Sequence, residues 1–432
     1  MFKTRLIVAA AALFAAGTSA LAADVVSDWN TQLLSSVQAT SMGPPLAARA
    51  MAMTHLAMYE AVNSIDRAYA PYKGFYATPA GTNKAAAAAQ AAHDVLANLY
   101  PSRAGLFAAK LSSDLAAIPD GPGKAAGVAL GRLSASGMIQ SRAGDGSQAV
   151  VAAPVGTLPG QWRPTPPGNL PGAFAQMATC VPFGMSSPSQ FRPVAPPSLD
   201  SAEYAQAVNE VKRLGSATSV DRTSEQTDIA RVWAFGAGSM TPPGAWNSVA
   251  QQVAASNSMG IDASARMFAL LGMAEADAAI SAWDCKNTYN FWRPVTAIRE
   301  AGADGNAATE ADPSWVPLLT TPNFQAYTSG HSTFSSAAAA ILRSVTGSDA
   351  AGFSVSALGI TRNFTSFEAA AQEAGMSRIY GGIHFSFDNT MGLGCGQALG
   401  EYTYSNYLQV PGPSSGVLLA AAGVLATRRR RR

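Results

Sequence analysis

The chain has few charged residues and few cysteines, and both shortages narrow the classes of protein to which it can belong. Charged residues are 13% of its 432 residues and hydrophobic residues 48%, which excludes a highly charged, disordered chain. Cys180, Cys285 and Cys395 are widely separated, so at most one disulfide can form and no two match a zinc-finger spacing. We expect at least one of them to be a buried apolar residue.

Runs of β-branched residues are also scarce, whereas alanine is abundant. This composition favours close-packed helices over sheets, and the length is sufficient for one large domain or two packed bundles. We therefore predict an all-α fold. Amphipathic periodicity predicts helices at 45–65, 263–282 and roughly 366–374, another after His331, and one that opens at a capping box of Thr223 and Gln226 and runs toward Trp233.

Residues 151–200 are rich in proline and glycine, so long regular elements cannot cross them. We expect a wrapping loop that packs over the surface and shapes a substrate entrance. It divides the helical body, residues 23–410, into halves of roughly 23–200 and 201–410. His55 and His93 lie on predicted helices in the first half, where a lone histidine is usually a packed or hydrogen-bonded structural residue.

The N-terminus has the order of a secretory signal: Lys3 and Arg5, an apolar run from Leu6 to Ala16, and the small residues before Ala23. The run is shorter than the ~20 residues that a membrane span requires. We predict a signal peptide over 1–22 and export to the periplasm, cell surface or extracellular space.

The C-terminus, residues 411–432, resembles a bacterial PEP-CTERM sorting tail. It combines Pro411-Gly412-Pro413, an apolar stretch from Val417 to Ala426 and five terminal arginines, with Gly412 where that signal usually has glutamate. The resemblance implies only transient contact with the membrane. Without the seven basic residues of the two ends, 22 basic residues face 27 acidic ones, so nothing indicates nucleic acid as a partner.

Three segments in the second half concentrate cations, small hydroxyl residues and two of the four histidines. They are Lys286 to Pro294, Tyr327 to Ser332, and Ser377-Arg378 followed by His384 and Asp388. Lysine and arginine suit the oxygens of a tetrahedral anion, and a Ser-Gly pair at a helix start adds neutral donors. On a helix, Asp388 faces the same side as His384 and can orient its ring, which leaves His331 as a general acid and base.

These segments resemble the signature of the vanadium-dependent haloperoxidases and the type 2 phosphatidic acid phosphatase superfamily, with Thr328 where the family usually has proline. The resemblance implies two packed helical bundles and a vanadate cofactor. His384 would ligate vanadium or attack phosphorus, Asp388 would orient His384, and His331 would be the acid and base. The oxyanion would be bound by Lys286, Arg293, Ser329, Gly330, Arg378 and His384.

The same pocket serves three possible functions, which the sequence leaves open. A peroxidase would oxidise halide with hydrogen peroxide to hypohalous acid, with Lys286 assisting and an organic acceptor possible. An acid phosphatase would pass through a phosphohistidine at His384. A non-catalytic cell-surface or matrix protein would keep only the fold, although buried cations without an anion would repel one another.

Two aromatic residues favour the peroxidase. In the haloperoxidases, the residue three before the motif lysine and the residue seven before the motif histidine line the halide pocket, and here they are Trp283 and Phe324. This pair resembles the chloride-oxidising type, although core aromatics are common enough to explain both residues.

Overall fold

The computed structural model describes residues 24–411, and the predicted signal peptide and nearly all of the predicted sorting tail lie outside them. Thirteen α-helices and one pair of strands occupy the described span. They are α1 (Val25–Ala39), α2 (Pro44–Asp66), α3 (Lys84–Leu99), α4 (Ala104–Ala116), α5 (Pro122–Ser141), α6 (Ala202–Leu214), α7 (Ser224–Val232), α8 (Thr241–Ser256), α9 (Ile261–Tyr289), α10 (Pro294–Arg299), α11 (Gly330–Thr346), β1 (Ala350–Ala357), β2 (Ile360–Ser366), α12 (Phe367–Tyr380) and α13 (Ser386–Asn406).

The all-α prediction is confirmed, with one small addition. The strands β1 and β2 pair antiparallel as a hairpin, with Phe353 opposite Phe364. Leu358 and Gly359 form the turn with φ values of 54° and 77°, the left-handed conformation typical of two-residue hairpin turns. The sequence analysis did not predict this hairpin, although apolar residues alternate on both sides of Gly359.

The predicted helices are present, and several extend further than expected. α2 and α9 cover the predicted ranges 45–65 and 263–282, and α9 continues to Tyr289 because residues 283–289 include neither glycine nor proline. The capping box is confirmed, since the amide of Gln226 donates to Thr223 Oγ1 (3.1 Å) and the amide of Thr223 donates to Gln226 Oε1 (3.0 Å). α7 therefore begins where the sequence predicts.

α9 is the central helix of the core. All its residues from Ser264 to Lys286 are buried, because α2, α8, α11 and α13 pack around it. Small residues permit this density: a Cβ on Gly272 would lie 2.8 Å from Ala52 Cα of α2, and one on Gly396 would lie 2.2 Å from the Thr333 carbonyl oxygen of α11. The abundance of alanine and glycine therefore allows close helix crossings.

The wrapping loop is confirmed as a long segment without α-helix or strand between α5 and α6, apart from a 3₁₀ helix at Ala175–Thr179. Two carboxylates of α9 hold it. Asp277 accepts the amides of residues 183–185 at 2.6–2.7 Å, and Asp284 forms a two-pronged ion pair with Arg192 at 2.6 and 2.7 Å. The division into two halves at this loop stays a prediction.

His55 and His93 each lie beside a polar side chain. His55 is fully buried, its Nε2 lies 2.9 Å from Asn30 Oδ1, and burial lowers its pKa to about 3. His93 Nδ1 lies 2.7 Å from Asp94 Oδ1. All three cysteines are buried and free. Within residues 24–411, no helix combines the length and hydropathy that a bilayer crossing requires.

Candidate functional site

Residues of the second and third polar segments line one cavity, whereas Lys286 and Arg293 of the first segment do not line it and Arg293 adjoins it through His384. The cavity lies between the C-terminal end of α9, the start of α11 and the connection from α12 to α13. Its volume is about 30 Å³, which leaves room for only a small species, since one water needs roughly 10–15 Å³ on the same measure. It is lined by Pro44, Pro242, Trp283, Pro322, Phe324, Gly330, His331, Phe334, Arg378 and His384.

His384 presents one defined lone pair. Its Nδ1 lies 2.9 Å from Asp388 Oδ2, and its Nε2 lies 2.9 Å from Arg293 Nη1. Because a guanidinium can only donate, Nε2 is the unprotonated nitrogen and Nδ1 donates its proton to Asp388. The amide of Phe385 also donates to Asp388 Oδ2 (3.0 Å), so the carboxylate is fixed before it fixes the ring. The predicted pairing of His384 with Asp388 is therefore present, although His384 precedes α13 and does not share a helix with Asp388 as predicted.

Among the described residues, two arginines carry buried N–H groups that no protein acceptor reaches. Arg293 donates from Nε to the Phe324 carbonyl (2.6 Å) and from Nη1 to the Ile383 carbonyl (2.7 Å), while its buried Nη2 has no partner. Arg378 lines the cavity, and its buried Nε also lacks a partner. Such donors are costly to bury unless an acceptor reaches them. An anion in the cavity would supply that acceptor.

Lys286 has a different position from the two arginines. Its Nζ donates to the carbonyls of Gln325 (2.8 Å), Ala326 (3.1 Å) and Thr328 (2.5 Å), and the side chain is fully buried. Burial, followed by the charge of Arg293, lowers its pKa well below the usual value. Three carbonyl acceptors nevertheless require three N–H groups, so the ammonium form fits this geometry. Lys286 here holds the segment before Ser329, and direct contact with an oxyanion stays a prediction.

Ser329 and Gly330 form the start of α11 at the cavity. Ser329 is the N-cap, and its Oγ accepts the amide of Ser332 at 3.3 Å. The amides of Gly330 and His331 have no acceptor within residues 24–411, as is usual for the first turn of a helix. Gly330 lines the cavity, so a Cβ there would occupy space beside Phe334. The positive end of α11 therefore faces the cavity.

His331 is held by a hydrogen bond at Nε2. Its Nε2 lies 3.1 Å from the carbonyl oxygen of Trp233, at the end of α7. A carbonyl can only accept, so Nε2 carries the proton and Nδ1 holds the lone pair of the neutral ring. Burial, followed by the charge of Arg378, lowers the pKa of His331 well below its ordinary value, which keeps the ring neutral. Nδ1 is then the atom that takes up a proton.

The remaining wall is apolar. Trp283 and Phe324 stand side by side with ring centroids 5.0 Å apart, and both line the cavity as predicted. The wrapping loop reaches this wall, because Trp283 Nε1 donates to the Ala173 carbonyl (3.0 Å) and Phe174 packs edge-on against Trp283 at 5.9 Å. Sequence reasoning missed the proline rim and Phe334, whose residue types carry no chemical signal.

The cationic groups are almost wholly buried together. Arg293, Lys286 and Arg378 are 0%, 0% and 3% exposed, and burial lowers the pKa of each arginine to about 9. Within residues 24–411, Asp388 is the acid that is hydrogen-bonded to His384. Burial raises its pKa to about 7, against the lowering influence of the Phe385 amide, Lys286 and Arg293. The site therefore carries a surplus of positive charge.

Asp388→Asn is expected to alter how stability depends on pH. The pKa of about 7 lies above the ~3.9 of an unfolded aspartate, so the folded state holds this proton more tightly. The stabilisation from that proton is complete below about pH 4 and is lost as the pH rises to about 7. Urea unfolding of the oxyanion-free protein should show a falling free energy of unfolding across this window in the wild type and a flatter curve in D388N.

Asp312 provides a control of opposite sign. The Ser314 hydroxyl lowers the pKa of this exposed carboxyl, so its stabilising contribution is lost only as the pH falls below about 4. D312N should therefore leave the window from pH 4 to 7 unchanged. Parallel curves for wild type and D388N in that window would show that Asp388 does not titrate there.

These residues fit a tetrahedral oxyanion. Unpartnered guanidinium donors, free helix amides and surplus positive charge surround one imidazole lone pair. A small anion with several oxygens would satisfy the donors while its central atom faces His384 Nε2. A phosphate or a vanadate has this shape and charge.

Comparison with known proteins gives one matching family model and one curated relative. Residues 266–411 match the family model of the VCPO second helical-bundle domain. The vanadium chloroperoxidase of Curvularia inaequalis is 28% identical over 379 residues, which are 70% of this chain and 61% of that protein. The chain therefore spans 61% of the length of this curated relative.

Solved structures resemble a larger part of the chain. The first bacterial vanadium-dependent iodoperoxidase superposes with a TM-score of 0.76 and 28% identity, covering 90% of this chain and 96% of its own. A holo-type bacterial vanadium-dependent chloroperoxidase has a TM-score of 0.66 at 16% identity, covering 84% and 92%, and supports the fold alone.

Proposed function

We propose that this chain belongs to the vanadium-dependent haloperoxidase family and is an enzyme that binds vanadate and uses hydrogen peroxide to oxidise halide to hypohalous acid. The observation that carries the proposal is the pair of buried guanidinium donors, Arg293 Nη2 and Arg378 Nε, without protein acceptors. They lie in a site where the lone pair of His384 Nε2 faces the guanidinium of Arg293.

Different residues would have different roles in binding the anion. Arg293 Nη1 donates to His384 Nε2, so an anion that binds at Nε2 would require this N–H to turn to one of its oxygens. Arg293 and Arg378 would hold oxygens of the anion, with the amides at the start of α11 as neutral donors. Asp388 keeps the proton on Nδ1 and therefore keeps Nε2 available.

His331 and the apolar wall would serve the reaction itself. Vanadate, when bound, would supply the centre at which peroxide is activated toward halide. His331 would accept and return a proton at Nδ1, since Nε2–H is occupied by the Trp233 carbonyl. Trp283 and Phe324 would exclude water and receive the halide, in the manner of the chloride-oxidising type.

An acid phosphatase is the second candidate, supported by the same lone pair. An imidazole whose Nδ1–H is fixed by a carboxylate is a competent nucleophile at Nε2, and His331 would assist water in cleaving the phosphohistidine. The two reactions use one pocket, so activity measured on one sample distinguishes them.

Orthovanadate is expected to raise the melting temperature of the purified protein. It neutralises buried cations in the folded state only, and at 100 times the Kd this linkage contributes about 2.7 kcal/mol. Nitrate is the matched control, because it is planar and has a single charge. The vanadate-treated sample should brominate a phenol-type dye with hydrogen peroxide, and phosphate ester hydrolysis should be absent.

Three outcomes would contradict the proposal. Hydrolysis of a phosphate ester that vanadate inhibits would identify the phosphatase. Vanadate binding without either activity would favour a binding protein on this fold. No thermal shift with vanadate or phosphate would mean that the cavity does not bind a tetrahedral oxyanion.

A further inference from the structure

One backbone carbonyl holds two residues of the site. The Trp233 carbonyl oxygen accepts from His331 Nε2 at 3.1 Å and from Arg378 Nη1 at 3.3 Å. Trp233 is the residue that ends α7, and its own amide is bonded within that helix. The position of this carbonyl therefore sets both the direction of the imidazole ring and the direction of one guanidinium.

The indole side chain of Trp233 is fixed by one hydrogen bond and by aromatic packing. The side chain is 1% exposed, and its Nε1 donates to Glu373 Oε1 of α12 at 3.0 Å. Its ring packs at 6.2 Å from Trp246 and at 6.1 Å from Phe364 of β2. The indole N–H would otherwise be a buried, unsatisfied donor, so Glu373 determines the orientation of the ring.

Glu373 is itself fixed by the hairpin. Arg362 of β2 donates from Nη2 to Glu373 Oε2 (2.6 Å) and from Nε to Oε1 (3.1 Å), and it reaches Glu225 in the first turn of α7 at 3.2 Å. The Glu373 side chain is 15% exposed, which limits screening of this pair. A continuous series of contacts thus runs from the hairpin through Glu373 and Trp233 to the cavity.

We propose that Glu373 is a positioning residue, which acts through Trp233 to keep His331 and Arg378 in their reactive orientations. α12 contributes Glu373 to the indole and Arg378 to the carbonyl, so one helix holds Trp233 at both ends. The inference rests on the proposed function, because the orientation of His331 affects turnover only if His331 transfers a proton. It gives the otherwise peripheral hairpin a role in the site.

The test compares four single variants of the full chain. E373L removes the acceptor of the indole N–H, and W233F removes the donor while it keeps an aromatic ring. E373Q keeps an acceptor oxygen and should restore the bond. E368L is the matched control, because Glu368 lies on the same helix, is exposed, and pairs with Arg343 (3.4 Å) instead of Trp233.

The first measurement needs no vanadate. In protein labelled with ¹⁵N-histidine, with His331 assigned by H331Q, the wild type should show a His331 Nε2–H proton that exchanges slowly. E373L and W233F should each accelerate that exchange about tenfold, the change expected when a hydrogen bond of ordinary strength is weakened. E373Q and E368L should match the wild type.

The second measurement is turnover. E373L and W233F should each lower kcat about tenfold at an unchanged peroxide KM, and the double variant should be no worse than either single one, because both remove the same bond. If the double variant loses the product of the single effects, or if His331 carries its proton on Nδ1 in the wild type, the proposal is wrong. Slow Nε2–H exchange in E373L and W233F would also overturn it. If the wild type shows no turnover but E373L and W233F accelerate the proton exchange as expected, the proposed function is contradicted instead.

Discussion

His384→Ala is expected to abolish halogenation and to weaken orthovanadate binding by more than about 100-fold. Partners that only orient a metal ligand cost about 10–100-fold in affinity, and His384 is the group with the lone pair itself. The remaining arginines would still attract an anion, so a weak, salt-sensitive affinity should persist. Isothermal titration with orthovanadate, together with dye bromination at saturating vanadate, measures both effects.

His93→Ala is the matched control for this variant. His93 lies on α3, bonded to Asp94 and edge-on to Trp29, and it does not line the cavity. Its replacement should change stability by no more than roughly 0.5–1 kcal/mol and leave vanadate affinity unchanged. If H384A kept wild-type affinity, vanadate would be bound elsewhere and the proposed site would be wrong.

His331→Ala should reduce turnover by about 100- to 10,000-fold while vanadate affinity changes by less than about tenfold. General acid and base groups contribute to rate on that scale, and His331 directs Nδ1, not a positive charge, to the site. The two histidine variants therefore separate binding from proton transfer. Parallel titrations and rate measurements on H384A and H331A show whether the effects divide in this way.

The outcome for His331 also distinguishes a role in chemistry from a role in folding. H331A removes the bond to the Trp233 carbonyl, which Arg378 still occupies, so the melting temperature should fall by only a few degrees. Full turnover in H331A would eliminate it as the acid and base. An equal loss of vanadate affinity and turnover would place it among the binding groups instead.

Local sequence patterns predicted the elements whose signals are local. The capping box at Thr223 needs only two residues three positions apart, and the buried run that became α9 has no proline before its end at Tyr289. The pairing of His384 with Asp388 was predicted on one helix face, but His384 precedes α13 and Asp388 lies in its first turn, so the bond arises where the chain enters the helix. The hairpin was missed because its alternation is short and its turn uses Leu358, an unusual residue for a positive φ.

The surroundings of the site could not be inferred from residue types. A backbone carbonyl is present at every position, so nothing marked the one of Trp233 as the acceptor for His331 and Arg378. The same holds for the three carbonyls around Lys286, which was expected to bind the anion directly. The prolines at the rim are also unremarkable until the helices bring them together.

Composition and spacing alone thus specified a helical protein with an anion-seeking set of lysine, arginine and histidine residues, because helix periodicity, capping and charge are properties of neighbouring residues. Folding decided which donors stay without a protein acceptor, which nitrogen of each imidazole holds its lone pair, and how small the cavity is. Those properties depend on contacts between residues such as Trp233, His331 and Arg378, which are far apart in the chain. Close packing of helices brings such residues within a few ångströms of one another, and no local pattern records that proximity.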